Sequence, residues 1–336
     1  MDPLTQAAVG AGAAALFSRK DNVRLALVVG ALAGMAPDLD VLIKSETDPL
    51  LAIQYHRHFT HSIFFAPIIG LLVAGLWRTL FFWRKQSFRS LATFAIAGTL
   101  THGAIDACTS YGTRLYWPIS NHRESWDIIS IIDPIFTLPL CLLLVIGFAF
   151  RRPRIAASGL IVCGLYLCFG SYQYLRAKQF AQSLATSRGH TPSDYSIRPS
   201  FGNTLLWRTV YRESDTYYVD AAQFWPGRPP VHYPGRPVQA FTLNDSTAIT
   251  DPDSQLGKDI ARFRYFSQGY LYVHPEERSI IGDLRYAMLP NSVSPLWGIR
   301  IDPEQPDQHL SFEYFRDASA PTRSQLWQMI KGENIE

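Results

Sequence analysis

Ser62-Ile-Phe-Phe-Ala-Pro-Ile-Ile-Gly-Leu-Leu-Val-Ala-Gly-Leu76 carries no charge, and its apolar character continues from Trp77 to Trp83. Such a stretch approaches the roughly 20 residues that cross the hydrocarbon core of a bilayer. Similar stretches lie at about 4–17, 23–43, 90–107, 128–150 and 155–175. Together they predict an α-helical polytopic membrane domain of about six spans. The first stretch is short and rich in Ala and Gly. It has Asp2 where a secretory signal would have a basic region, so it reads as a short helix.

Working outward from these stretches, the 336 residues divide into two halves. Residues 1–176 hold 15 basic and 10 acidic residues between the apolar runs, whereas residues 177–336 hold 16 and 18 spread throughout. The predicted organisation is a transmembrane domain over 1–176, a linker helix and loop over 177–195, and a soluble β-rich (α+β) domain over 196–336. Apolar residues make up 47% of the chain, which excludes a disordered protein. A net charge of +3 leaves no nucleic-acid footprint.

Basic residues alternate between the connections. Arg19, Lys20 and Arg24 mark the first, Arg84, Lys85 and Arg89 the third, and Arg151, Arg152 and Arg154 the fifth. The positive-inside rule then places these loops in the cytoplasm. Both termini, the remaining loops and the soluble half fall on the outer face, which in a bacterium is the periplasm. Cys108, Cys141, Cys163 and Cys168 have no metal-binding spacing and read as packing residues.

The outer loops and helix ends hold the ionisable groups. Span two ends in Pro37-Asp38-Leu39-Asp40, and span three is preceded by His56-Arg57-His58-Phe59-Thr60-His61. Span four ends in Thr101-His102-Gly103-Ala104-Ile105-Asp106, and span five follows Asp127 and contains Asp133-Pro134. Ionisable groups at membrane depth are costly and mark functional sites. Imidazoles with carboxylates suit zinc, manganese, iron or nickel, with zinc first. His102 and Asp106 share a helix face four residues apart, as His58 and His61 do at three if that segment is helical. Asp38 and Asp40 suit a turn with both carboxylates on one ion, and so many donors allow two metals. Each piece alone has a plain explanation, since Asp-x-Asp caps helices and His-Arg-His suits an interface. Their shared depth is what points to metal. His122 and Arg123 lie in the fourth loop and read equally well as solvated.

The combined pattern resembles a YdjM-like family of bacterial inner-membrane proteins expected to be metal-dependent hydrolases. The likeness rests on Met1-Asp2-Pro3-Leu4-Thr5, Pro37 to Asp40, His56 to Ser62, His102 to Thr113, Trp117-Pro118 and Asp127 to Pro134. It covers about the first 150 residues, and Asn203 to Arg208 is similar to a segment of longer members. The resemblance implies a divalent-metal site of Asp38, Asp40, His56, His61, His102 and Asp106, with His58 second to these. It also implies a distant kinship with helical zinc-dependent phosphoesterases. The family commonly has His where this chain has Gln6, so one donor is absent or replaced.

In such a hydrolase, metal-activated water would attack a phosphoester or related bond. Asp133 or Asp127 would act as general base or orient a ligand His. Arg57 would clamp an anionic group or meet lipid headgroups. Thr60 and Ser62 would cap the helix or support ligands. Membrane lipids are the expected partners, and a lipid or lipid-linked phosphoester the expected substrate. The alternatives are a non-catalytic metal-binding membrane protein and an ion-coupled transporter. Against the second, transporter sites lie near the midplane.

Tyr172 to Leu184 reads as helix leaving the membrane, and residues 189–194 as a linker. Strands are predicted at 204–211, 214–219, 263–273, 296–301 and 308–315, with a closing helix over 323–331. His190, His232, His274 and His309 show no ligand spacing, and Trp207, Trp225 and Trp297 read as packing residues.

Overall fold

The computed structural model describes residues 1–242 and 251–335, and the chain divides into two compact units. The first comprises Met1–Leu42, Tyr55–Ser171 and Phe201–Asn203; the second comprises Ile43–Gln54, Tyr172–Ser200 and Thr204–Glu336.

In the first unit, helices α1 (Pro3–Ala15), α2 (Val23–Met35), α4 (Ala66–Leu80), α5 (Phe88–Ala107) and α6 (Pro134–Ala149) follow the predicted apolar stretches. Helix α3 (Leu51–Tyr55) is a short element between the 3-10 turns Ala36–Leu42 and Phe59–His61. Helix α7 (Pro153–Ser187) begins in this unit and runs on unbroken into the second. At about 1.5 Å per residue, its 35 residues exceed the ~30 Å hydrocarbon thickness.

The sequence predicts about six spans, but among the described residues two helical segments are long and apolar enough to cross a bilayer. These are Val23–Leu42 and Pro153–Ser187. A third would be the pair Leu51–His61 and Ala66–Leu80, bent by 85°. The shortfall has physical causes. Helix α1 has only 13 residues and α6 only 16, because Asp133 starts α6 after an irregular stretch. Ile68, Leu72, Leu138, Leu142, Val145, Ile161 and Leu165 point outward and leave the exposed faces of α4, α6 and α7 apolar.

The core of this unit is made of small side chains. Ala14, Ala26, Val29, Ala33, Ala74 and Ala95 pack with Leu91 and Phe94 where α1, α2, α4 and α5 meet. Small residues let backbones approach closely, which is how helices associate in lipid.

The second unit contains two antiparallel sheets. In the first, β1 (Tyr195–Pro199), β2 (Leu206–Glu213), β3 (Thr216–Gln223) and β4 (Val231–Pro234) lie in sequence order, and β5 (Val238–Gln239) pairs with β3. In the second, β6 (Leu271–Val273), β7 (Ile280–Asp283), β8 (Trp297–Arg300) and β9 (Ser311–Tyr314) do the same. Helix α9 (Ala320–Lys331) matches the expected closing helix. The strand expected at 263–273 is corrected by α8 (Gln255–Phe266), which leaves only Leu271–Val273 extended. Leu256, Ile260 and Phe263 recur at helical spacing on one buried face, and the Ser254 hydroxyl accepts from Gly257 N as N-cap.

The segment 43–54 joins this unit through Arg262 on α8. Its guanidinium donates to both Asp48 oxygens at 3.0 and 2.8 Å, to Gln54 Oε1 at 2.9 Å and to Asp259 Oδ1 at 2.9 Å. Partial burial pushes the Asp48 carboxyl up, but the Arg262 hydrogen bonds and charge outweigh it, and the group lies below its usual 3.8. A carboxylate so depressed stabilises the fold above pH 3.8, and that contribution is lost as pH falls through the lower folded value. The pair is about a quarter exposed, so Arg262→Ala should cost roughly 1 kcal/mol locally after screening. Hydrogen exchange should show residues 43–54 opening about fivefold faster in that variant, and likewise in wild type below the carboxylate range.

Candidate metal centre

Four polar side chains converge where three elements of the first unit end. Asp38 comes from the 3-10 turn after α2, His61 from the turn before α4, and His102 and Asp106 from one face of α5. One donor atom from each lies within 4.8 Å of the other three. His61 Nε2 is 3.3 Å from Asp38 Oδ1 and 3.2 Å from Asp106 Oδ2, and His102 Nε2 is 3.4 and 3.7 Å from the same atoms. The side chains of His61, His102 and Asp106 are fully buried, while Asp38 is 19% exposed and forms the open edge.

The partners of the two rings set their tautomers. His102 Nδ1 lies 2.5 Å from the Gly34 carbonyl, an acceptor only, so that nitrogen carries the proton. His61 Nδ1 faces Thr60 Oγ1 at 3.0 Å, and the Thr60 hydroxyl donates to Asp40 Oδ2 at 2.9 Å. A proton on His61 Nδ1 completes this chain. With both rings neutral, each would present a bare Nε2 to the centre, where the two nitrogens lie 2.8 Å apart. Asp106 Oδ2 is buried and accepts no aligned hydrogen bond, although Arg57 Nε lies 3.1 Å away. Four lone-pair donors around one point, one of them an orphaned buried carboxylate oxygen, fit a divalent cation.

A second group shares a member with the first, since Asp38, Asp40 and His56 also bring one donor atom each together. His56 Nδ1 is 2.8 Å from Asp40 Oδ1, and the His56 side chain is 28% exposed. The other Asp40 oxygen accepts from Arg57 N at 3.0 Å as well as from Thr60. Asp40 therefore ties His56, Arg57 and the Thr60–His61 pair into one turn.

The remaining candidates lie outside both groups. His58 sits among Tyr55, Phe59 and Trp117, with ring centroids 5.3–6.0 Å away. Arg57 is buried, donates to Thr109 Oγ1 at 2.9 Å and lies 4.9 Å from the Tyr111 ring centroid. Its backbone has φ of 62°, a strained conformation for a residue other than glycine. Asp133 is the N-cap of α6: one oxygen accepts from Ile135 N and Phe136 N, and the other accepts from the Tyr166 hydroxyl at 2.9 Å. Asp127 is half-buried with φ of 56°, in the turn whose neighbours hydrogen-bond to Ala107 and Cys108 carbonyls. His122 is exposed, and the buried Arg123 donates to the Gly112 carbonyl at 2.8 Å.

Several members of the site carry no metal-ligand signature. Gln6 on α1 is fully buried and donates to Asp106 Oδ1 at 2.9 Å, and the Met1 amino group contacts the same oxygen. Gly34 supplies a carbonyl, and a side chain there would strike Gln6 O at 2.5 Å. At Gly103 a Cβ would lie 2.1 Å from His61 O, so α5 meets the His61 turn only because residue 103 is glycine. The one sequence signal for these contacts is the Gly30-x-x-x-Gly34 spacing of a close helix contact.

A carboxylate–imidazole cluster at the ends of apolar helices belongs to a membrane-embedded helical protein with a metal-type site. Comparison narrows this class: residues 1–177 match the family profile described as "YdjM inner membrane protein", and the chain belongs to that family. It is also similar to Inner membrane protein YbcI of Escherichia coli (strain K12), with 29% identity over 109 residues. That alignment covers 31% of this chain and 61% of YbcI. No solved structure matches.

Two substitutions test the placement. Gly103→Ala should overpack the His61 turn and destabilise the protein by about 1–3 kcal/mol. Gly75→Ala has nothing within 4 Å and should be neutral in the same thermal unfolding experiment. Asp133→Ala should cost about 1–2 kcal/mol as a lost cap while leaving metal content unchanged, which elemental analysis of the purified variant would show.

Proposed function

We propose that this inner-membrane protein is a metal-dependent hydrolase acting at the outer face on a phosphoester, with a lipid or lipid-linked phosphate as the substrate class. The observation that carries this reading is the convergence of Asp38, His61, His102 and Asp106, with one donor atom of each within 4.8 Å of the others. These four residues would hold the ion, zinc before manganese, iron or nickel. A divalent ion there would acidify a water ligand and polarise a phosphoryl oxygen.

The chain's own groups have defined parts. Gly34 and the Thr60–Asp40 pair fix the two imidazoles, and Gln6 and Arg57 hold Asp106 in place. Asp38 borders the open edge through which water and substrate would enter. His56 is part-exposed and backed by Asp40, and it would take up the proton released there. Orientation follows from charge. Val23–Leu42 and α7 both start beside basic clusters, while the bent pair ends beside Arg78, Arg84 and Lys85. By the positive-inside rule this charge pattern supports an outer position for Asp38, Asp40 and His61.

One observation favours a second reading. Four protein donors, three of them fully buried, also describe a closed structural metal site that staples helix ends.

Elemental mass spectrometry of the detergent-purified protein tests the ion directly. Near one metal per chain is expected, or near two if the Asp38–Asp40–His56 group also fills, and His61→Ala/His102→Ala should lose it. Absence of metal in wild type after incubation with each ion would overturn both readings. Hydrolysis of phosphoester probes or phospholipids, reduced at least 100-fold in folded Asp38→Ala, would decide for the hydrolase. A metal-loaded protein inert towards all of them would decide for the staple.

A further inference from the structure

We propose that the second unit carries its own binding site, for an anion with an apolar body. A cavity of about 490 Å³ opens on this unit, within the range of small-ligand sites. Its floor is aliphatic: Val238, Ile281, Val293 and Ile301 are each no more than 9% exposed. Arg236 and Arg278 stand at its exposed rim, with His274 half-buried between floor and rim.

Neither arginine at the rim is neutralised by a neighbour among the described residues. Elsewhere in the unit Arg188 pairs with Asp220, Arg262 with Asp48, Arg285 with Asp283 and Arg300 with Glu313. Glu277 lies next to Arg278 in the chain, yet its carboxylate goes to Arg300. Among the described residues, Arg236 and Arg278 have no ion pair or hydrogen bond, and no carboxylate lines the cavity. Two guanidiniums offer forked donors to a sulfonate, phosphate or carboxylate. The aliphatic floor and the Phe241 ring accept a ring or short chain, so neither part of the ligand alone would satisfy the site.

The test uses the full chain in phosphatidylcholine nanodiscs, titrated calorimetrically with 1-naphthalenesulfonate, a weak metal ligand. Saturable binding is expected in wild type and in Asp38→Ala, which separates this site from the membrane cluster. Arg236→Gln/Arg278→Gln, with both positions exposed and the unfolding temperature unchanged, should bind at least tenfold more weakly. Inorganic sulfate should also bind at least tenfold more weakly than the probe. Equal binding by the double variant, or none by wild type, would overturn the proposal. Displacement by phosphatidylglycerol in the disc would identify a lipid as the source of the anion. Displacement by hexyl phosphate alone would identify a soluble one, and displacement by neither would overturn the site.

Discussion

Two imidazole nitrogens face each other at 2.8 Å with a carboxylate oxygen on either side, and the rest of the first unit is arranged to hold them there. Three carboxylates, those of Asp38, Asp40 and Asp106, share this small volume with the Arg57 guanidinium and the Met1 amino group. Two like charges 4 Å apart repel by on the order of 4 kcal/mol even at an effective dielectric constant of 20. The surrounding structure holds the two rings among these carboxylates. The Gly34 carbonyl fixes one ring, and Thr60 with Asp40 fixes the other. Such preorganisation suits a cation that binds after folding.

Holding those groups together depends on helices that approach very closely. Alanine and glycine dominate the contacts among α1, α2, α4 and α5, and larger side chains would push the helix ends apart. Gly103 shows the constraint most directly, because His61 O occupies the space a Cβ would need. The small-residue packing and the polar cluster are therefore one design: the first sets the distance at which the second works.

Much of this was legible in the sequence. The helices could be placed because apolar runs need no partner to be recognised, and Asp38, His61, His102 and Asp106 could be singled out from their positions near the ends of those runs. Other parts depended on tertiary contacts. Asp133 sits in an apolar run like a buried catalytic acid, but a carboxylate just before Pro134 can equally cap the helix that proline begins, and it does. Gln6 looked like a lost ligand, whereas its amide instead anchors Asp106, a contact between residues 100 positions apart. The number of spans was overestimated because mean apolarity does not reveal where a helix starts. The aromatic run at 263–266 looked like strand because Phe and Tyr favour sheets, and only the Ser254 cap and the Leu256–Ile260–Phe263 face argue for helix.

The inserted segment 43–54 separates two members of the cluster in the chain. The chain leaves the cluster at Asp40, passes 43–54 within the second unit under the Arg262 clamp, and returns through Tyr55 to His56. Asp40 and His56 are hydrogen-bonded to each other, so the segment closes a loop between two members of one pair. Asp40 in turn accepts from Thr60, whose hydroxyl meets His61 Nδ1, so the residues on either side of the loop lead directly to the ring that faces His102.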